Sequence, residues 1–129
     1  MHELAVAESI LNIANAEMEK RNLIAIESIC VRVGVLSDVV PEALQFSFEA
    51  LTKGTKMDGT DLQIETIPVR GRCHGCRQEF EVLDYVFECP LCDSRDIKLT
   101  QGDELDIAYM EVKDNEAESK GGREIRDDR

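Results

Sequence analysis

Cys73-His74-Gly75-Cys76 and Cys89-Pro90-Leu91-Cys92, separated by the twelve residues Arg77 to Glu88, constrain this chain more than anything else in it. Two residues between thiolates make a tight knuckle in which backbone amides can point at sulfur, and Gly75 is expected to permit the first turn. Two knuckles brought together place four sulfurs around one ion. A tetrahedral site closed by four cysteines leaves no open position for water or substrate, so the metal is expected to be structural and to fasten a small module of loops and short strands. Zinc is the preferred ion, because four thiolates suit a borderline-soft cation without redox demands, although iron uses the same ligand set. His74 lies inside the first knuckle and is not needed as a ligand. It is expected to face solvent or to modulate the site from beside it, the alternative being exchange with a cysteine or a response to pH.

With five cysteines in 129 residues, four of them in the two pairs, a disulfide scaffold is excluded and a reducing, cytoplasmic compartment is expected. Cys30, in Ile29-Cys30-Val31, reads as a small apolar residue of a buried strand. The net charge of -12 argues against a polyanion partner. The knuckle segment itself is nearly neutral, with Arg70, Arg72, Arg77, Arg95 and Lys98 against six acids, where a nucleic-acid reader would carry a basic excess. No apolar run approaches a membrane span, and no basic stretch leads into an apolar one at the start. Neither nucleic acid nor membrane is therefore an expected partner.

Around the knuckles the periodicity predicts one main body. Leu4, Ala7, Leu11, Ala14 and Met18 recur at helical spacing over residues 4–20, flanked by Ile10 and Ile13. Leu23 to Leu36 alternates as a strand, with Ile29, Val31 and Val33 against Ser28, Cys30 and Arg32. Ser37 and Asp38 before Pro41-Glu42 announce a second helix over 41–52, with Leu44, Phe48 and Leu51 inward and Gly54 as its stop. Further strands are expected over 62–69 and 105–112. The fold class is α+β: a small sheet with two helices on one face, plus an inserted zinc-ribbon-like domain with the four-cysteine site. The expected division is residues 1–69 completed by a strand within 99–113, a zinc domain over 70–98 between strands that pair or neighbour each other, and a charged, disordered tail over 114–129.

Met1-His2-Glu3 carries a second metal chemistry. Methionine is generally retained before a bulky residue such as His, which leaves the α-amine one residue from the imidazole. The amine, the His2 amide nitrogen once deprotonated and the His2 ring nitrogen form fused chelate rings in one plane, and Glu3 or another protein can supply a fourth donor. Planar nitrogen coordination favours Ni(II) or Cu(II) over zinc. With few protein ligands committed, the ion could also be released.

Taken together, Met1-His2-Glu3-Leu4, Gly34-Val35-Leu36-Ser37, Pro41-Glu42-Ala43-Leu44 through Phe48, Thr52-Lys53-Gly54-Thr55, the paired knuckles and Gly102-Asp103-Glu104-Leu105 resemble the HypA/HybF hydrogenase maturation nickel chaperones, in one collinear order over residues 1–113. The resemblance implies a nickel-binding α/β domain with an inserted zinc domain. It also implies delivery of Ni(II) to the [NiFe]-hydrogenase large subunit alongside the nickel-handling GTPase HypB. On the same resemblance His2 is the principal nickel ligand with Met1 and Glu3 as companions, and Cys73, Cys76, Cys89 and Cys92 hold zinc. A zinc-ribbon protein-interaction adaptor, with His2 incidental, is the alternative. A redox or catalytic role is disfavoured, because neither His74 nor His2 has a recognisable nucleophile partner.

Overall fold

The computed structural model describes residues 2–114 and 123–126. Helix α1 spans Glu3–Arg21 and ends on Asn22, whose left-handed φ of 53° turns the chain straight into strand β1, Leu23–Gly34. A short 3-10 turn over Val35–Ser37 leads to α2, Pro41–Thr52, and strand β2, Asp61–Ile67, lies parallel to β1 with Val31 opposite Ile64. Strands β3 (Arg70–Cys73), β4 (Glu79–Glu81) and β5 (Ile97–Gln101) form a separate antiparallel sheet in the order β4-β3-β5. Strand β6, Leu105–Asp114, then returns antiparallel to β1, with Ile29 opposite Met110, and β7, Arg123–Arg126, completes a four-stranded sheet in the order β2-β1-β6-β7.

One apolar cluster joins the helices to this sheet. Ala7, Ile10, Ala14 and Met18 of α1 and Leu44 and Phe48 of α2 pack with Ile29, Val31, Val33, Leu62, Ile107 and Met110. The fold is α+β, with two helices over one sheet and a small sheet beside it. The buried stripe of α1 is turned from the expected one: Val6 and Ile10 face inward, Leu11 is half-buried and Leu4 exposed. Ser37 and Asp38 do not cap α2 either. Val40 occupies the cap position, while the Ser37 hydroxyl donates to the Gly34 carbonyl at 2.7 Å and closes the turn one step earlier.

Two expectations need correction. The strands that bracket the knuckle segment, β2 and β6, neither pair nor neighbour each other, because β1 lies between them. The ends of the segment still meet. Gly102, just before β6, is so close to Val69, just before β3, that a Cβ on it would sit 2.7 Å from the Val69 Cα. The second correction concerns the tail, expected to be disordered from residue 114. Asp114 is the last residue of β6, and Arg123–Arg126 pairs with β6, Ile125 opposite Met110; residues 115–122 and 127–129 lie outside the described residues. An edge strand presents a row of unpaired backbone groups that any extended segment can satisfy whatever its side chains, so a low apolar content did not exclude pairing.

No described helix is long and apolar enough to cross a membrane.

Candidate metal centre and amino terminus

The second sheet has little apolar material to hold it. Val69, Val82, Cys73 and Cys89 are its buried apolar side chains, none of them part of the main cluster. Two of those four are metal-ligand candidates. The sequence delivers them through two knuckles with the same backbone wiring. Arg77 N–H donates to the Cys73 carbonyl at 2.8 Å and Cys73 N–H to the Gln78 carbonyl at 3.0 Å; Asp93 N–H donates to the Cys89 carbonyl and Cys89 N–H to the Ser94 carbonyl, both at 2.9 Å. Each knuckle closes on a left-handed residue directly after its second cysteine, Arg77 at φ 64° and Asp93 at φ 61°.

The turn therefore does not depend on Gly75. Its φ is not left-handed, and an added Cβ would meet only the Cys73 sulfur at 3.6 Å and the Cys92 sulfur at 4.0 Å, both ordinary contacts. Gly75→Ala is expected to keep the full metal complement and to change the unfolding free energy by no more than surface substitutions usually do, about 0.5 kcal/mol. Metal analysis and calorimetry check this, and loss of the ion would restore Gly75 to the role read from the sequence.

All four predicted ligands come together. The sulfurs of Cys73, Cys76, Cys89 and Cys92 lie within 4.8 Å of one another, with Cys73 to Cys92 and Cys76 to Cys89 each at 3.5 Å. Zinc–thiolate bonds of about 2.3 Å in a tetrahedron set sulfur–sulfur distances near 3.8 Å, so the cluster has the size for such an ion. Protonation chemistry points the same way. The Cys76 amide, with the Cys92 thiol and the Gly75 amide, holds the Cys73 thiol down at about 6. At Cys92 the Ser94 amide favours the thiolate, but the surrounding Cys73 and Cys89 sulfurs outweigh it and push that thiol up to about 12. One thiolate forms readily and further negative charge is resisted. Only a cation at the centre lets all four ionise, and binding it must release protons.

His74 stands outside this set. Its ring Nδ1 lies 2.9 Å from Asp96 Oδ1 and its backbone N–H donates to the Asp96 carbonyl at 3.0 Å, with both side chains more than half exposed. Asp96 lies twenty-two positions away in the chain and entered the sequence reading only as one of six acids. No local signal could have paired it with His74.

At the start of the described chain, His2 occupies the cap position of α1, exposed, with no side-chain cap bond, and its carbonyl accepts from Val6 N–H at 3.1 Å. Met1 lies outside the described residues. Glu3 begins the helix, and its Oε2 accepts the Val40 N–H at 2.9 Å, tying the start of α1 to the start of α2. That bond, reinforced by the amide of Glu3 itself, lowers the carboxyl pKa. The stability it contributes is fully present above the ordinary carboxyl value and is lost as pH falls through the lowered folded one. Sequence reading offered Glu3 only as a companion ligand and missed Val40 as its partner, because the donor is a backbone amide thirty-seven positions away.

Comparison with known proteins bears on both regions. Residues 1–112 match the family model described as HypA, hydrogenase/urease nickel incorporation, metallochaperone. The hydrogenase maturation factor HypA of Acidithiobacillus ferrooxidans is 38% identical over 112 residues, 87% of this chain and 99% of that protein. That of Picosynechococcus is 41% identical over the same shares. Among solved structures, the solution structure of the Ni metallochaperone HypA from Helicobacter pylori aligns with a TM-score of 0.64 at 25% identity, covering 89% of this chain and all of that one.

Proposed function

This chain belongs to the HypA family of hydrogenase/urease nickel-incorporation metallochaperones, and from that premise we propose that it carries Ni(II) on Met1, His2 and Glu3 and delivers it to a [NiFe]-hydrogenase large subunit. A HypB-type nickel GTPase is the proposed partner in that transfer, in the cytoplasm, where the thiols stay reduced. The role is carriage, not catalysis. Residues 70–98 are proposed as a zinc domain in which Cys73, Cys76, Cys89 and Cys92 hold Zn(II) permanently, inserted into a nickel-binding domain of residues 1–69 and 99–113.

The observation that carries this reading is the state of His2. It is exposed, its imidazole has no hydrogen bond among the described residues, and its place before the first helical turn leaves its amide outside the helical ladder. An imidazole and amide both uncommitted are what a planar chelate needs. Glu3 supports the reading differently from the role expected of it: with Oε2 accepting the Val40 N–H, it anchors the segment that carries His2. A carrier needs this combination, a ligand set light enough to surrender its cargo on a base that does not move.

Titrating the zinc-loaded protein with Ni(II) tests the proposal. His2→Ala is expected to abolish the tight site, and one additional residue before Met1 to weaken it by about tenfold or more, because it removes the amine from its chelate ring. Zinc content and circular dichroism should be unchanged in both. Equal nickel uptake by all three proteins would return the chain to the adaptor reading.

A further inference from the structure

The loop that joins the knuckles carries more exposed apolar surface than a metal clip requires. Of the ten large apolar side chains exposed among the described residues, five fall within the nine residues from Leu83 to Leu91: Leu83, Tyr85, Val86, Phe87 and Leu91. Leu83 is 64% exposed, Tyr85 61%, Val86 56% and Leu91 70%. Such a concentration is unusual on a monomer surface and marks an interaction site more often than a defect.

The backbone holds these side chains outward. Val82 is buried and its N–H donates to the Val69 carbonyl at 2.8 Å, Val86 N–H closes a turn on the Leu83 carbonyl at 3.0 Å, and Cys89 is fixed in the metal knuckle. Between these anchors Asp84 and Tyr85 are both left-handed, at φ 51° and 61°. Two successive non-glycine residues in that region are strained, and strain of this kind persists where surrounding structure enforces it for a purpose.

Charge selects the occupant. From Glu81 to Asp93 the loop contains four acids, Glu81, Asp84, Glu88 and Asp93, and no Lys or Arg. None of the four forms an ion pair among the described residues. A second copy of this loop would bring acids against acids, and an anionic lipid surface would be repelled in the same way. A polypeptide segment with apolar side chains between Lys or Arg residues meets both requirements, apolar contact at the centre and opposite charge at the rim. We propose that the 83–91 loop is a docking surface for an apolar, basic-flanked segment of another protein, presented on the rigid frame of the metal knuckles. None of its residues is among those proposed for nickel, and its failure would leave the nickel reading intact.

The test uses the zinc-loaded full chain and two synthetic peptides, one with Leu and Phe interleaved with Lys and Arg, and a twin in which Glu replaces every basic residue. By fluorescence anisotropy the basic peptide is expected to bind at least tenfold more tightly than the acidic twin, and less tightly as salt is raised. The combined substitution Tyr85→Ser, Val86→Ser and Leu91→Ser should weaken it at least tenfold. Asp84→Asn with Asp93→Asn, which keeps side chains tolerant of left-handed backbone, should weaken it severalfold and flatten its salt dependence. Zinc content confirms that the variants retain their fold. If the triple variant loses zinc, Leu91→Ser alone carries the test, with a smaller loss expected. Equal binding of the two peptides, or undiminished binding by the variants, would overturn the proposal. So would self-association in sedimentation, or flotation with phosphatidylserine vesicles, that these substitutions abolish.

Discussion

Cys73→Ser is expected to release the metal and unfold the β4-β3-β5 sheet while the four-stranded sheet and its two helices stay folded. The interior of the smaller sheet consists of Val69, Val82 and two sulfurs, and segments below about 40 residues rarely fold without a staple. Structural zinc supplies roughly 10–16 kcal/mol of apparent binding free energy to small modules at neutral pH, far more than two valines can contribute. Cys73 is also wholly buried, so the substitution places a hydroxyl among sulfurs and removes a thiolate at once. Cys76→Ser, at an exposed ligand, is expected to lose the ion without that added packing defect. Atomic absorption gives the metal content. Hydrogen exchange separates the two sheets: the amides of the β3–β5 ladder should lose protection, while those pairing Ile29 with Met110 and Val31 with Ile107 should keep it. A Cys73→Ser protein with one zinc per chain and undiminished protection in β3 would contradict the account.

What could be read beforehand follows a physical pattern. Helices α1 and α2, strand β1 and the four cysteines were legible because each declares itself through local periodicity or fixed ligand spacing. The features that escaped depend on backbone atoms brought together over long separations. Glu3 finds the Val40 amide, His74 finds Asp96, and β7 finds the open edge of β6; none of these contacts has a local signal. Gly75 failed differently. It looked necessary because glycine often sits in tight turns, whereas the left-handed positions of both knuckles fell to Arg77 and Asp93. The backbone bonds that close each knuckle supply a reason they can be held there: with Arg77 N–H on the Cys73 carbonyl and Asp93 N–H on the Cys89 carbonyl, the turn overrides the preference of the residue. The stretches Gly34-Val35-Leu36 and Gly102-Asp103-Glu104, distant in sequence, prove to be one joint, with Gly34 N–H donating to the Glu104 carbonyl at 2.7 Å and Leu36 N–H to the Gly102 carbonyl at 2.8 Å.

That joint yields the second large effect: Gly34→Ala should destabilise the protein by on the order of 3 kcal/mol, the upper end of what overpacking costs. Gly34 has φ -73° and ψ 147°, extended backbone that alanine adopts freely, so the penalty must come from contact alone. A Cβ there would lie 2.1 Å from the Gly102 oxygen, 2.3 Å from the Gly102 carbon and 2.7 Å from the Asp103 nitrogen. All three atoms are backbone and cannot rotate aside. Gly102 cannot retreat either, because Val69 packs against its other side and its carbonyl is held by Leu36. Relief therefore requires moving the chain where it enters and leaves the second sheet, which breaks the bond that ends β1 and the one that holds the turn after it. For a chain of this length the cost corresponds to a fall of about 10 °C in the midpoint of thermal unfolding. Gly59→Ala is the matched comparison. Gly59 has open space around it but a φ of 89°, so it pays only for backbone strain, about 1 kcal/mol. The order of the two midpoints, Gly34→Ala well below Gly59→Ala, separates contact from conformation, and equal midpoints would mean that the joint yields more easily than its packing implies.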